Sequence, residues 1–230
     1  MSETRHDDLV GLVEIMTPRE RSDHEAGHYV MLRALKVRHI TNFISADAAI
    51  GNGAIGGICS WTPPGYFSRE ADIVQSLGGY FAQLEGLYQR RENDPERATI
   101  AWQGASDDFS YLLDRHQEHI VASFTETTIL LVRQNWGLIE ALSDELNKNR
   151  ILYNDEPRLI LDFAESGDPA HIETLNFYRQ NRIEDQTETD VYRSFRKRHP
   201  TRAWFESVIA CFVRLGEPLP QVLKTRRPEV

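Results

Sequence analysis

The sequence predicts a mainly α-helical protein with one small β-hairpin or sheet, and three observations indicate this fold class. Apolar residues recur at spacings of three and four over most of the chain, as on the buried face of an amphipathic helix. Two β-leaning segments, VRHITNFIS at 37–45 and AIGGICSW at 54–61, flank the glycine-rich turn GNG at 51–53. Hydrophobic residues make up 40% and charged residues 27% of the 230 residues, a composition typical of a globular protein.

The first predicted helix begins at residue 18. Thr17 can serve as the N-cap, Pro18 takes the first helical position and Glu20 the third, a combination that signals a helix start. We expect this helix to run to about Leu35. One stripe along it contains His24, His28, Met31 and Leu35. Gly27 lies inside the helix, and because glycine costs about 1 kcal/mol relative to alanine there, another element should pack closely at that point.

The remaining elements are predicted from their boundary residues. The two β segments should pair, and the second should end at Pro63-Pro64. Further helices are expected from Ser68 to about Gln89, after Asp94-Pro95, after Gly104-Ala105-Ser106 and, as one long amphipathic helix, from about Thr127 to Asn149. Within the Ser68 helix, the pair Gly78-Gly79 should permit close packing beside the first helix.

The C-terminal part of the chain is predicted to contain shorter helices. They are broken by Gly167-Asp168-Pro169 and by the polar stretch EDQTETD at 184–190, and a last apolar helix spans roughly 201–215. We place a domain boundary at residue 156, which gives a domain over 1–156 and a helical extension over 157–230. The apolar helix with Trp204, Val208, Ile209 and Phe212 is either packed on its own domain or a surface for a partner or for self-association.

Composition excludes several classes of protein. Thirty-five acidic against 26 basic residues give a net charge of −9, which disfavours nonspecific binding to nucleic acid. No apolar run approaches the roughly 18–20 residues that span a bilayer, and the charged N-terminal residues lack the apolar core of a signal peptide. Cys59 and Cys211 form no disulfide or metal-binding pattern. We therefore expect a cytoplasmic protein with no membrane span and no nucleic-acid partner.

The five residues HEAGH at 24–28 carry the main chemical signal. Histidines four residues apart project from the same helical face, so His24 and His28 can reach one metal ion. Zinc at such a site lowers the pKa of water to about 7. Glu25 can then act as general base and later give the proton to the leaving amine. Because two unpartnered histidines would be costly to bury on the apolar stripe, a shared Zn²⁺ ion is the favoured interpretation.

A catalytic zinc site usually takes three protein ligands and keeps the fourth position for water. HEAGH supplies two of them. Spacing alone leaves several candidates for the third ligand, namely Asp107, Asp108, His116, His119 and acidic residues such as Glu85.

Four segments, in order, resemble the protease domain of the FtsH-type ATP-dependent zinc metalloproteases. HEAGH at 24–28 is similar to the zinc helix of that family. GGICSWTPPGYFSRE at 56–70 looks like its active-site edge strand and the start of the next helix, and LGGYFAQLEG at 77–86 looks like its glycine-pair helix. GASDD at 104–108 resembles the turn whose last aspartate is the third zinc ligand. The resemblance covers roughly residues 17–156.

The resemblance implies a set of site residues. Carried over by position, Asp108 is the third zinc ligand and Asp107 the runner-up, whose other role would be capping of the helix that follows. Asp108 would lie in the first turn of that helix, two residues after an N-cap serine, Ser106. The strand residues Gly56, Gly57, Ile58 and Cys59 would bind an extended peptide substrate by β-addition.

The chain also departs from the family pattern. Where the family has two acidic residues after its glycine pair, this chain has Gln83 and Leu84, with Glu85 one step later, so the groups that orient the zinc-binding histidines should differ. The family joins its protease domain to a membrane anchor and an ATPase module that unfolds substrates. We expect this chain to act without either, and therefore on substrates that are already unfolded or flexible, unless a separate ATPase delivers them.

Three functions remain in view. The first is a zinc endopeptidase that cleaves peptides or unfolded proteins, with Glu25 as general base and acid. The second is a catalytically idle zinc-binding protein derived from the protease, acting as a regulator or assembly partner. The third is a metallohydrolase of a small amide. The intact Glu25 argues against the idle protein, since a purely structural zinc site does not need it.

Overall fold

The computed structural model describes residues 16–37, 40–50, 54–62, 67–92 and 95–180. This part of the chain forms nine helices: α1 Pro18–Ala34, α2 Arg69–Gln89, α3 Pro95–Gly104, α4 Ser106–Arg115, α5 Glu118–Ser123, α6 Thr125–Gln134, α7 Trp136–Asn149, α8 Glu156–Ser166 and α9 Pro169–Gln180. It also contains three strands, β1 Ile40–Ile50, β2 Ala54–Thr62 and β3 Ile151–Tyr153. The fold is mainly α-helical with one small sheet, as predicted. The features predicted at 184–190 and 201–215 lie outside the described residues.

The starts of the two longest helices follow from their capping residues. The Thr17 hydroxyl accepts a hydrogen bond from the Glu20 amide at 3.2 Å, and the Glu20 carboxylate accepts one from the Thr17 amide at 2.6 Å. Together they form a capping box at the predicted helix start. At the start of α2, the Ser68 hydroxyl accepts from the Ala71 amide at 3.1 Å. These side chains satisfy amide groups that have no partner inside the helix.

The predicted hairpin is confirmed, with an additional strand on one side. β1 and β2 pair antiparallel, with Ile44 opposite Cys59. β3 pairs with the other edge of β1, where Leu152 lies opposite Ile44, so the sheet order is β2-β1-β3. The sequence did not predict β3, because a three-residue strand is too short to show an alternating pattern. β2 is an edge strand of the described sheet.

The prediction of a single long helix over 127–149 is wrong. Two helices, α6 and α7, meet at Asn135 instead. The Asn135 side-chain amide donates to the Leu131 carbonyl at 2.8 Å, and the Asn135 backbone amide also donates to it at 3.0 Å. An asparagine side chain that competes for a helical carbonyl favours a break, and Gly137 just beyond it adds little helix propensity.

The start of α4 also differs from its prediction by one position. Ala105, not Ser106, is the N-cap residue, and it provides no side-chain capping hydrogen bond. Ser106 is buried and is the first residue of the helix. Asp107 and Asp108 both remain in the first turn.

The core is built around α1, which packs on α2 and α7. Buried apolar residues of α1, α7, α8, α9 and the sheet form one cluster, which includes Met31, Ile44, Leu142, Leu161 and Leu175. The α8 and α9 residues in this cluster follow residue 156, so the chain on both sides of the predicted boundary contributes to the same core. A second cluster lies between α2 and α4. Among the described residues, no helix combines the length and the apolar composition that a bilayer-spanning segment needs.

Candidate metal centre

The two histidines of HEAGH lie side by side on α1. The ring centroids of His24 and His28 are 4.7 Å apart with an interplanar angle of 81°. His24, Glu25 and His28 each offer one ligand atom, and these three atoms lie within 4.8 Å of one another. All three residues are buried, with His24 and His28 each 5% and Glu25 4% exposed. The helix alone accounts for this grouping, since residues four apart share a face.

Asp108 completes the cluster from α4. Its Oδ2 atom lies 3.0 Å from His24 Nε2 and 3.5 Å from His28 Nε2. For nitrogen and oxygen ligands 2.0–2.1 Å from a tetrahedral ion, ligand atoms are separated by roughly 3.3 Å. Two imidazoles and one carboxylate therefore lie close together, and their nitrogen and oxygen donors could bind a divalent metal ion.

The other candidate ligands have different partners. His116 Nε2 lies 2.8 Å from the Asp72 carboxylate. The Glu85 carboxylate accepts from Arg133 at 3.2 Å and from Gln89 at 2.7 Å. His119 is exposed on α5 and Asp107 is exposed on α4.

The hydrogen bond on the far side of His28 defines which nitrogen can bind a metal. His28 Nδ1 lies 2.8 Å from the Gln75 backbone carbonyl. Because a carbonyl only accepts hydrogen bonds, Nδ1 carries the hydrogen and the neutral ring keeps the Nε2 lone pair on the Asp108 side. The sequence could not reveal this contact, because it is made by a backbone atom.

The orientation of the His24 ring is less constrained than that of His28. His24 Nδ1 is buried and has no hydrogen-bond partner among the described residues. Gln83, which stands where the resembled family has an acidic residue, is fully buried, and both atoms of its side-chain amide also lack a described partner. The two histidines are therefore held differently: His28 Nδ1 is bound by a backbone carbonyl, whereas His24 Nδ1 has no partner among the described residues.

The metal-free cluster is strongly coupled electrostatically. Burial alone would raise the pKa of Asp108, but the charged His28 imidazole and the hydrogen bonds from both histidines hold it well below its usual range. Burial acts in the opposite direction on His28, yet the Asp108 carboxylate, with a smaller contribution from Glu25, raises the pKa of this imidazole to about 9. In the metal-free protein, the proton on His28 supplies positive charge beside the Asp108 and Glu25 carboxylates.

Burial raises the pKa of Glu25 to about 6, although the charges of the two histidines oppose the shift. A carboxylate with a pKa near neutrality combines a large ionised fraction at pH 7 with useful basicity, which is what general-base catalysis requires.

Glycines allow the backbone to approach the cluster. A Cβ atom on Gly79 would lie 2.5 Å from His28 Nε2 and 2.7 Å from His24 Nε2, so α2 can lie against both imidazoles only without a side chain there. A Cβ on Gly27 would lie 2.5 Å from the Gly78 carbonyl oxygen and 2.5 Å from Ala82 Cβ. The close packing predicted at Gly27 and at Gly78-Gly79 is confirmed.

β2 passes over Glu25. A Cβ on Gly57 would lie 2.1 Å from Glu25 Oε1, so the strand backbone lies directly against the carboxylate. Gly56 and Ile58, the neighbouring residues expected to bind substrate, pair with Ala48 and Ser45 of β1. Burial, with the nearby Glu25 and Asp108 charges, raises the pKa of the Cys59 thiol well above its ordinary value. Cys59 is therefore a neutral thiol at pH 7 and a poor nucleophile.

Comparison with known proteins adds no assignment: no family model matches the chain, and no curated protein matches it. The resemblance to FtsH-type protease domains stays an expectation based on the four quoted segments. The chemical possibilities of the site follow from its own atoms.

Proposed function

We propose that this protein is a zinc-dependent metallopeptidase that hydrolyses peptide bonds in unfolded or flexible polypeptides. The observation that carries the proposal is the approach of His24 Nε2 and His28 Nε2 to Asp108 Oδ2, at 3.0 and 3.5 Å, with Glu25 beside them. These residues would hold Zn²⁺, which when bound supplies Lewis acidity and brings the pKa of water close to neutrality. Three protein ligands leave one position for water, as catalytic rather than structural zinc sites do.

Glu25 is the proposed general base and acid. Its carboxylate accepts a proton from the attacking water and later donates that proton to the nitrogen of the leaving amine, so its charge is restored at the end of each turnover. In the metal-free protein burial raises the pKa of Glu25 to about 6, so the carboxyl group is mostly ionised at pH 7. The Gly57 backbone against Glu25 Oε1 limits the movement of the carboxylate, which keeps it close to the histidines.

The proposed substrate class follows from β2. An edge strand can pair with an extended peptide through backbone hydrogen bonds, and such pairing needs several consecutive residues with free backbone groups. Unfolded chains and flexible loops offer them, whereas stable folded domains expose few. Gly57 places this edge next to Glu25, so a peptide paired with β2 would carry its scissile bond towards the cluster.

A catalytically idle zinc-binding protein is the second candidate function. It is favoured by the burial of the cluster, because Glu25 is 4% exposed and the two histidines 5% each. The Asp108 side chain, 27% exposed, is its most accessible member. A binding protein of this kind would keep the metal and lack peptide hydrolysis.

The deciding experiment compares the parent with Glu25→Gln. Zinc content, melting temperature and hydrolysis of denatured casein are measured for both, with Glu85→Gln as the control for loss of a glutamate outside the cluster. We expect Glu25→Gln to keep its zinc and its melting temperature but to lose at least roughly 100-fold in rate, as for removal of a general base. Glu85→Gln should retain the parental rate.

Two other results would contradict the proposal. Equal hydrolysis by the parent and Glu25→Gln would remove Glu25 from the mechanism. Hydrolysis by neither protein, with one zinc bound per chain in both, would favour the idle zinc-binding protein.

A further inference from the structure

A cluster of polar side chains around Asp72 also lies between α2 and α4, apart from His24 and His28. The Asp72 carboxylate, in the first turn of α2, is 6% exposed. Its Oδ1 accepts a hydrogen bond from the Tyr111 hydroxyl at 3.0 Å, and its Oδ2 lies 2.8 Å from His116 Nε2. Arg115 Nε lies 3.7 Å from the same Oδ2, and the Arg115 guanidinium lies 4.8 Å from the centre of the Tyr111 ring.

Among the described residues, the side chains that meet the Asp72 carboxylate come from one short segment, residues 111–116. This segment is the second half of α4 and its C-cap residue, and the first turn of the same helix carries Asp108. Asp108, Tyr111 and Arg115 follow one another at spacings of three and four, so they lie along one face of α4. The face that brings Asp108 to the histidines therefore also brings Tyr111 and Arg115 to Asp72.

The distance along α2 from Asp72 to Gly79 matches the distance along α4 from Asp108 to Arg115. His24 Nε2 lies 3.0 Å from Asp108 Oδ2 and would lie 2.7 Å from a Cβ on Gly79, so Asp108 and Gly79 are at the same level of the structure. Asp72 precedes Gly79 by seven residues and Arg115 follows Asp108 by seven, which is about two helical turns in each case. α2 and α4 therefore run in opposite directions. Asp72 lies beside the C-terminal end of α4, and Gly79 lies at the level of its N-terminal end.

Apolar packing between the two helices does not by itself determine the rotation of α4. Ile73 and Leu77 of α2 share a cluster with Phe109 and Leu112 of α4. Such contacts are not directional and tolerate small rotations and slides, whereas hydrogen bonds to a buried carboxylate weaken steeply with distance and angle. A rotation that displaced Asp108 would also break the bonds of Tyr111 and His116 to Asp72.

We propose that Asp72 is a positioning residue for the metal site: by holding the C-terminal half of α4, it fixes where Asp108 meets His24 and His28. The inference rests on the proposed function, in which Asp108 is a metal ligand. Groups that orient metal ligands typically contribute roughly 10- to 100-fold to metal affinity. Asp72 touches neither the metal nor the substrate in this scheme. Its substitution should therefore lower metal affinity directly and affect hydrolysis only through the metal site.

The test measures metal affinity in Asp72→Asn, with Glu70→Gln as the matched control. Glu70 is an exposed carboxylate in the same first turn of α2, so the control removes a comparable charge near the helix N-terminus. Zn²⁺ affinity is measured by competition with a chromophoric chelator, and ligand geometry by the visible absorption of the Co²⁺-loaded protein. We expect Asp72→Asn to bind Zn²⁺ roughly 10-fold more weakly, with an altered Co²⁺ spectrum, and Glu70→Gln to match the parent.

Two milder variants keep the test valid if Asp72→Asn does not fold. Tyr111→Phe and His116→Gln each remove or weaken one bond to Asp72 from the edge of the cluster, and each should lower Zn²⁺ affinity by a few-fold. Because Tyr111 acts through Asp72, the double variant of Asp72→Asn with Tyr111→Phe should bind no more weakly than Asp72→Asn alone.

The outcomes separate this inference from the proposed function. If the parent and Glu70→Gln bind Zn²⁺ and every folded variant of the Asp72 cluster binds it equally well with an unchanged Co²⁺ spectrum, Asp72 has only a structural role. A parent that binds neither ion contradicts the proposed function and this inference together. Weaker Zn²⁺ binding in the variants with no peptide hydrolysis in the parent would support the positioning role and contradict the peptidase.

Discussion

Two buried charged clusters begin at consecutive residues of α1, and they are neutralised in different ways. Asp23 has a fully buried side chain, and its carboxylate accepts hydrogen bonds from Arg90 at 2.7 Å and Ser143 at 2.5 Å, with Arg19 Nε at 3.1 Å. The cluster of His24, Glu25, His28 and Asp108 also contains a buried carboxylate, that of Glu25, and the partly exposed one of Asp108, but no guanidinium or ammonium group lies within it in the described contacts.

This difference distinguishes a structural ion network from a candidate metal site. Burial raises the pKa of Asp23, and the Ser143 hydroxyl and the two guanidiniums offset part of that shift. An arginine is charged at every physiological pH, so the Asp23 cluster is complete within the protein. An imidazole supplies a positive charge only after it has taken up a proton, so the neighbouring cluster must bind either a proton or a metal ion. Four experiments test whether the two clusters have these separate roles.

The largest effect is expected from loss of Asp108. Asp108→Ala removes one of three protein ligands and should weaken Zn²⁺ binding by roughly 100-fold or more, given the 10–16 kcal/mol that a complete structural zinc site provides. Metal content per chain after dialysis measures the loss. Asp107→Ala and His116→Ala serve as controls: Asp107→Ala should retain the metal and His116→Ala most of it. Full zinc occupancy in Asp108→Ala with loss in either control would show that the third ligand is another residue.

Removal of Asp23 should affect stability instead. Asp23→Ala leaves Arg90 and Arg19 without their shared buried partner, and breaking a buried ion pair costs about 3 kcal/mol. Chemical denaturation should show this decrease in the free energy of unfolding, measured for the metal-free protein. The folded variant should still bind one Zn²⁺ per chain. A variant with parental stability but weakened metal binding would reverse the roles assigned to the two clusters.

A pH titration of the metal-free protein separates the clusters further. The folded-state pKa of His28, about 9, lies above its ordinary value of 6.5. The stability that the protonated imidazole provides is therefore fully present below pH 6.5 and lost as the pH rises through 9. Between pH 7 and pH 9 the chelator-treated protein should lose about 1 to 2 kcal/mol in the free energy of unfolding. His28→Gln should lose less over this range; an identical loss would assign the titration to other groups.

The smallest effects are expected from a pair of glycines on α2. A Cβ on Gly79 would press on both imidazoles, whereas a Cβ on Gly86 would lie 2.3 Å from Asp23 Oδ2. Gly79→Ala should weaken Zn²⁺ binding roughly 10-fold through displaced ligands. Gly86→Ala should lower stability by about 1 kcal/mol, since alanine's better helix propensity offsets part of the steric cost.

Gly137→Ala on α7 is the matched control for both substitutions, because a Cβ atom at Gly137 would meet no neighbouring heavy atom within 4 Å among the described residues. It should be neutral or slightly stabilising and should leave Zn²⁺ affinity unchanged. If Gly79→Ala and Gly86→Ala changed the same property by the same amount, the two clusters would not be independent.

Features that depend on residues close in the chain could be predicted from the sequence alone. The Thr17 capping box, the Ser68 cap and the grouping of His24, Glu25 and His28 all follow from contacts within about one helical turn. For these, the spacing of residue types on a helix is sufficient, because the helix geometry is the same in every protein. The glycine at position 27 likewise predicted a close neighbour, although it could not say which element this would be.

Features that depend on contacts between distant segments became visible only in the folded protein. Asp108 is 84 residues from His24, and spacing alone left several candidates for its place. Its position depends on how α4 packs against α2, as do the bonds of Asp72 to Tyr111 and His116. The contact of Gly79 with the imidazoles depends on how α2 packs against α1. β3 is a strand because three residues find a partner in β1. Local rules leave such outcomes open, because the free energy that selects among them comes from packing between elements rather than within them.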